Sequence, residues 1–292
     1  MVNECISSVY QYRYNRTPLG KGRGEGINMK LAVIGDPHGD LEKIEHIPLD
    51  DVDLVLMTGD LGRADIFRKI AFKYLGSSQR RFVTGSPESE EFQQAFLDSY
   101  NTAVKLVRHI AVHSQVFTVT GNADITNYDT RKFSSQFGIK LPFLYDTLKE
   151  MENVRLIDNI LVLFSGVRIG GIKYFTDISW AEEFELASIA KIRERALRET
   201  GKVESILARF GRVDILITHV PPYGILDTVN SRLARPEWAG RHAGSKAILQ
   251  YIRRYQPRYV FCGHIHEAEG VENVGQTQIY NLGQGGHWIH SI

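Results

Sequence analysis

One local pattern recurs along this chain. A short apolar run rich in β-branched residues ends in glycine or threonine, and a side chain able to bind a metal follows at once. LAVIG (31–35) runs into Asp36, with His38 two residues on; LVLMTG (54–59) runs into Asp60; VFTVTG (116–121) runs into Asn122. DILIT (214–218) runs into His219, and YVFCG (259–263) runs into His264 and His266. Continuous apolar runs bounded by glycine read as strands covered on both faces. Further runs of strand length lie at 160–166, 167–175 and 277–283.

Helical patterns alternate with these runs. Apolar residues recur every three or four positions at 64–75, 90–114, 180–200 and 245–255. The last is expected to be capped by Ser245 and to stop before Pro257. Strands alternating with helices predict an α/β class with a mainly buried sheet. The denser strands at 154–175 and 271–283 predict some antiparallel pairing as well. Residues 76–91, GSSQRRFVTGSPESEE, read as a loop long enough to be a surface insertion or a lid.

With 292 residues, 43% of them hydrophobic, the chain can bury a sizeable core. Residues 1–28 are rich in glycine and charge and predict a loose extension, with the folded domain spanning 29–292. An organellar transit peptide is the alternative reading of that extension. The net charge of +1 gives no basic patch for nucleic acid. No apolar run approaches the roughly 20 residues needed to span a bilayer. Two cysteines far apart, Cys5 and Cys262, argue against a disulfide framework and fit a reducing, cytoplasmic compartment.

In open α/β sheets ligands collect beyond the carboxyl ends of the strands. Each polar residue at such an end has an ordinary explanation as a turn former or a structural histidine. Seven of them at five strand ends are better explained together, as a site for two divalent cations. Carboxylate, imidazole and amide donors suit Mn, Fe, Zn or Ni. The spacing of two within Asp36/His38 and His264/His266 would put both side chains of each pair on one side of an extended chain. Cys262 is read as core packing.

The motifs DPHGD (36–40), GDLG (59–62), GNAD (121–124), TH (218–219) and GHIH (263–266), in that order, resemble those of the calcineurin-like metallophosphoesterases. The resemblance runs from residue 36 to residue 266. It implies a four-layer α/β/β/α sandwich, with two mixed sheets face to face and helices outside. It also implies ligand roles. Asp36, His38 and His266 would hold one cation, Asn122, His219 and His264 the other, and Asp60 would bridge them. A hydroxide between the cations would attack phosphorus. The implied activity is hydrolysis of a phosphoric ester, with a phosphorylated small-molecule or nucleotide-type substrate.

One departure concerns position 123. Many members of the family carry a histidine there, which contacts the phosphate or protonates the leaving group; Ala123 has no proton to give. This tilts the expectation towards phosphodiesters, with a phosphomonoesterase or protein phosphatase as the alternative and a non-catalytic scaffold as another. His242, in GRHAGSK, and Arg63 are candidates for the missing catalytic roles: His242 as proton donor, Arg63 as a phosphate contact. Asp124 is read as structural, either holding its loop or pairing with Arg63. Tyr223, in the stiff THVPPYG loop, is a candidate to line the substrate cleft, and residues 125–150 to cover the site.

Overall fold

The computed structural model describes residues 29–75, 83–230 and 236–292. The expected extension at 1–28 and the first part of the expected loop, 76–82, lie outside the described residues. The strands are β1 (Lys30–Ile34), β2 (Leu54–Met57), β3 (Gln115–Thr118), β4 (Val154–Leu156), β5 (Leu161–Phe164), β6 (Val167–Ile172), β7 (Ile215–Thr218), β8 (Tyr259–Cys262), β9 (Gly270–Val274), β10 (Thr277–Asn281) and β11 (His287–Ser291). The helices are α1 (Leu41–Ile44), α2 (Asp65–Leu75), α3 (Pro87–His113), α4 (Asn127–Phe137), α5 (Leu144–Glu150), α6 (Ile178–Glu183), α7 (Ala190–Phe210) and α8 (Lys246–Tyr255).

The strands form two mixed sheets, ordered β11-β1-β2-β3-β4 and β5-β6-β7-β8-β10-β9. Their facing sides share one core. Leu31, Val33, Leu54, Leu56 and Phe117 of the first sheet meet Val162, Ile169, Ile215, Ile217 and Phe261 of the second. The outer side of the first sheet (Ala32, Ile34, Val55, Met57) packs on α3 through Leu106, Val107 and Ile110. The outer side of the second (Leu216, Val260, Ile279) packs on α7 and α8 through Ile206, Phe210, Ile248 and Ile252. Each central strand is therefore buried on both faces, which is why it reads as a continuous apolar run rather than an alternating one. The result is the four-layer α/β/β/α arrangement.

Antiparallel pairing occurs at β5–β6, β9–β10 and β11–β1. β4, inside the region expected to supply antiparallel strands, instead pairs parallel with β3. The sequence reading missed β11, whose residues are mostly half-buried or exposed. An edge strand of that kind carries little apolar signal. Its one large anchor, Trp288, packs against Tyr259, Phe261 and Tyr280.

Two helix expectations need correction. The loop read at 76–91 ends earlier, because α3 starts at Pro87 with the Ser86 hydroxyl accepting from the Ser89 N–H at 3.3 Å. The helix read at 180–200 is broken: α6 stops at Glu183, Glu185 turns with φ 58°, and α7 continues to Phe210. Gly201 does not end α7, because Val203, Ile206, Leu207 and Phe210 beyond it bury against the second sheet. At α8 the expected Ser245 cap is present, its hydroxyl accepting from the Ile248 N–H at 3.1 Å.

Candidate metal centre

The seven residues singled out at strand ends meet at one place, where the carboxyl ends of β1, β2, β3, β7 and β8 converge. Asp36, fully buried, follows β1. The Thr58 hydroxyl donates to its Oδ1 at 2.6 Å, and the His264 backbone N–H donates to its Oδ2. The side of Asp36 is pressed against Gly263: a Cβ there would lie 2.1 Å from Oδ1. The glycine of GHIH is thus a close-approach residue, needed so that strands from different sheets can bring their ends together. Gly121 is a close-approach residue too, beside Asp60, where a Cβ would lie 2.1 Å from Oδ1, between neighbouring strand ends of the first sheet.

Two groups of donor atoms share Asp60. In the first, His38 Nε2 is 3.6 Å from Asp60 Oδ2 and 3.3 Å from His266 Nε2, and His266 Nε2 is 3.3 Å from Asp36 Oδ2. Ligand atoms of Asp36, His38, Asp60 and His266 all lie within 4.8 Å of one another. A cation with bonds of about 2.0–2.2 Å needs its ligand atoms within about 4.4 Å of each other, so this group fits a cation with little rearrangement. In the second group, His219 Nε2 and His264 Nδ1 each lie 2.8 Å from Asn122 Oδ1, and His219 Nε2 is 3.7 Å from Asp60 Oδ2. One oxygen of Asp60 therefore faces both groups, while its other oxygen accepts from the Ala123 N–H at 2.7 Å.

The spacing of two within each motif does not act through extended chain, as the sequence reading expected. His38 and His264 have φ of 46° and 68°, in the left-handed region. The turn at each strand end, rather than alternation along the strand, aims the imidazoles. Asp60 shares this feature with φ 50°, a conformation that aspartate and asparagine tolerate better than most residues.

The electrostatics suit cations. Burial opposes charge on His219, but the Asp60 and Asp36 carboxylates outweigh it and raise its pKa. His266 rises likewise against burial, through its contact with Asp36. Burial, then His219 beside it, holds His264 down at about 3, so it is a neutral donor at neutral pH. Burial also lowers His38, whose Nδ1 is buried without a hydrogen-bond partner. Two buried carboxylates stand among these imidazoles, so the site gathers protons wherever no cation occupies it. The donor set suits a divalent cation, and among the described residues no thiolate joins it: Cys262 is buried and contacts the Tyr280 carbonyl.

An outer ring of residues orients the donors. His219 Nδ1–H donates to the Thr58 carbonyl at 2.9 Å, which turns Nε2 towards Asn122 and Asp60. Such a partner fixes the tautomer of a ligating histidine. Asp124 accepts from the backbone N–H groups of Asp60, Leu61 and Gly121 at 2.8–2.9 Å. It ties the loop after β2 to the loop after β3; of the two readings of Asp124 it is the loop-holding one, not the pairing with Arg63, that these bonds support. Burial, then the Asp60 carboxylate, pushes the Asp124 carboxyl up to about 7, against the N–H donors of Gly121 and Leu61. Sequence reasoning missed Thr58 and Tyr174. The ring of Tyr174 lies 5.9 Å from His219 and 5.5 Å from His264. It stands two residues beyond the end of β6, inside the run 167–175 that the sequence reads as strand, so the strand-end rule does not reach it.

Arg63 and His242 are placed differently. Arg63 is exposed beside the Asp60 loop, and among the described residues its one bond is from its backbone N–H to Thr102 Oγ1 at 2.9 Å. His242 hydrogen-bonds Asp227, and among the described residues no hydrogen bond joins it to the seven donors. Tyr223 donates to Glu183 at 2.9 Å. Residues 127–137 and 144–150, in the segment expected to cover the site, form α4 and α5.

Comparison with known proteins bears on the family and the fold. The family model for calcineurin-like phosphoesterases matches residues 29–268. A UPF0046 protein of Caenorhabditis elegans is 26% identical over 266 residues, covering 87% of this chain and 55% of its own length. Human metallophosphoesterase domain-containing protein 1 is 44% identical over 70 residues, which is 24% of this chain and 19% of the human protein. The chain thus spans about a fifth to about half of the curated relatives it matches. One solved structure aligns over 90% of this chain and 99% of its own with a TM-score of 0.56 at 16% identity, a likeness of fold alone. Among the described residues no helix is long and apolar enough to cross a membrane. With its motifs meeting at one cluster and the family model covering residues 29–268, the chain belongs to the calcineurin-like phosphoesterase family.

Proposed function

We propose that the chain is a hydrolase of phosphoric esters that works with two divalent cations and favours phosphodiesters. The observation that carries this reading is the single oxygen of Asp60 facing both donor groups, at 3.6 Å from His38 and 3.7 Å from His219. Asp36, His38 and His266 would hold one cation and Asn122, His219 and His264 the other, with Asp60 between them. Two cations so placed supply Lewis acidity and a strongly nucleophilic water at neutral pH. The protein's own contribution is rigidity. Thr58, Asp124 and the close-packed glycines fix the donors, so that little reorganisation accompanies the reaction. Mn, Fe, Zn and Ni all suit the donor set.

The preference for diesters rests on Ala123, which puts a methyl where the loop after β3 carries the donors. The test is a panel of cyclic nucleotides, nucleotide-sugar and lipid pyrophosphates, phosphopeptides and simple monoesters, each with Mn, Fe, Zn and Mg. Turnover confined to monoesters would overturn the diester preference; no turnover with any metal would remove the enzyme reading. In the same assay Ala123→His is expected to raise monoester turnover relative to diester turnover. The ratio of the two kcat/KM values measures it, and an unchanged ratio speaks against position 123 as the determinant.

Cation uptake is also expected to be linked to protons. The carboxylates raise His219 and His266, so part of each is charged in the empty site at neutral pH and must deprotonate to bind. Affinity for the metals therefore falls as pH falls. Calorimetric titration in buffers of different ionisation enthalpy reads the protons released; a release of zero at neutral pH contradicts the assignment of these two histidines.

A further inference from the structure

We propose that His242, held by the buried carboxylate of Asp227, donates the proton to the leaving group of the hydrolysed ester. This deepens the phosphoesterase reading and rests on it. Departure of an alkoxide needs a proton, and the donor side chains of the cluster cannot give one while they ligate. Ala123 has none. The chain has ten histidines, of which His38, His219, His264 and His266 belong to the cluster. Among the others described, His113 pairs with Asp50, whose side chain is 88% exposed, and His290 lies against Trp288 on the edge strand β11. His242 pairs instead with a carboxylate that is fully buried.

Topology puts His242 at the right end of the sheet. α8 connects the parallel strands β7 and β8, so it runs back along the sheet and its first turn stands at the carboxyl edge. His242 lies three residues before the Ser245 cap of that helix. Two contacts tie this segment to GHIH. Ile265, between His264 and His266, is buried in one small apolar cluster with Ala243, Val229 and Phe184. The Asn230 N–H donates to Glu267 Oε1 at 3.1 Å.

The pair has the geometry of an oriented acid. His242 Nδ1 lies 2.7 Å from Asp227 Oδ1, and Asp227 Oδ2 accepts from the N–H groups of Gly224 and Gly244 at 2.9 Å each. The carboxylate is thus fixed by backbone on two sides and fixes the imidazole in turn. Nδ1–H is committed to Asp227, and Nε2 is left as the nitrogen that gives up its proton. The side chain is 37% exposed, which leaves it accessible to a substrate. The other charged and titratable groups around it are Glu183, which accepts from the His242 N–H at 3.4 Å and from Tyr223, and Arg241, which bonds the Glu183 carbonyl and Glu185. The Tyr223 ring lies 5.1 Å from the imidazole, with the Lys246 ammonium 4.8 Å from that ring.

The step balances. Water oxygen forms the new P–O bond and gives its proton to solvent. The P–O bond to the leaving group breaks, its electron pair stays on the leaving oxygen, and that oxygen takes the proton from His242 Nε2. Neutral imidazole remains and regains a proton from solvent. Asp227 is a positioning residue in this scheme.

The test compares two diesters with the metal-loaded full chain: one with an activated aryl leaving group, which departs without a proton, and one with an alkyl leaving group, which needs it. His242→Gln is expected to lower kcat/KM for the alkyl ester by roughly a hundredfold or more, to change the aryl ester little, and to keep the metal content. Asp227→Asn is expected to show the same selectivity with a smaller loss. An equal loss on both esters, or none, overturns the proposal. Should the variants not fold, the wild type decides: a donated proton makes its rate depend weakly on leaving-group basicity, and a steep dependence overturns the donor. A wild type that hydrolyses neither ester removes the phosphoesterase reading itself, whereas an active wild type with an indifferent His242→Gln variant removes only the donor.

Discussion

Asp60→Asn is expected to fold normally and to lose hydrolysis of bis-p-nitrophenyl phosphate at saturating Mn by more than about a hundredfold, beyond the loss typical of outer-ring partners. Asparagine is the informative replacement. The residue sits at φ 50°, which asparagine tolerates, and its Oδ1 can still accept from the Ala123 N–H. Only the second oxygen is exchanged for an NH₂ group, and that atom faces His38 at 3.6 Å and His219 at 3.7 Å. An NH₂ group cannot ligate and turns positive hydrogens towards the place where two cations would meet. Metal content measured on the same sample should fall from two ions per chain. Unchanged turnover would remove Asp60 from the centre of the site.

The largest effect on stability is expected at Asp124. Asp124→Ala leaves the backbone N–H groups of Asp60, Leu61 and Gly121 without their acceptor in a region closed to solvent. Each buried donor so orphaned costs about 1–3 kcal/mol. A loss on the order of 3 kcal/mol or more is therefore expected, a large share of the roughly 5–15 kcal/mol of a typical domain. The proximity of Asp60 offsets part of it, since two carboxylates side by side repel, which is one reason the Asp124 carboxyl titrates as high as about 7. Chemical denaturation of the metal-loaded protein, with comparable slopes for both proteins, measures the difference. A loss below about 1 kcal/mol would mean that solvent satisfies these donors and that Asp124 does not hold the two loops together. Activity should suffer as well, because the same bonds set the position of Asp60.

The strand ends were readable because they obey a rule that acts over a few residues. A buried parallel strand must be apolar throughout, and the chain must turn where it emerges, so glycine and a polar residue follow. Asp36, Asp60, Asn122, His219 and His264 each satisfy that rule within their own segment. Thr58 does not announce itself. It lies inside the LVLMTG run and acts through contacts with Asp36, 22 residues away, and His219, 161 residues away. Tyr174 passed unnoticed because the run read as strand, 167–175, extends past Ile172, where β6 ends, and takes the tyrosine in. β11 was missed because a half-buried edge strand lacks the apolar excess of its neighbours. The break between α6 and α7 depends on a left-handed turn at Glu185, and glutamate gives no warning of one.

The local sequence by itself determined the α/β class, the strands that carry the donors and the chemical nature of those donors, since each follows from burial and turning within a short segment. The tertiary structure alone decided how they meet. It turned His38 and His264 through positive φ, gave one oxygen of Asp60 to both groups, and pressed Gly263 against Asp36 across the two sheets. It also set His242 on the buried carboxylate of Asp227. The shared oxygen of Asp60 and the contact of Gly263 with Asp36 depend on distances between segments far apart in the chain, and packing of the two sheets, not any local preference, fixes such distances.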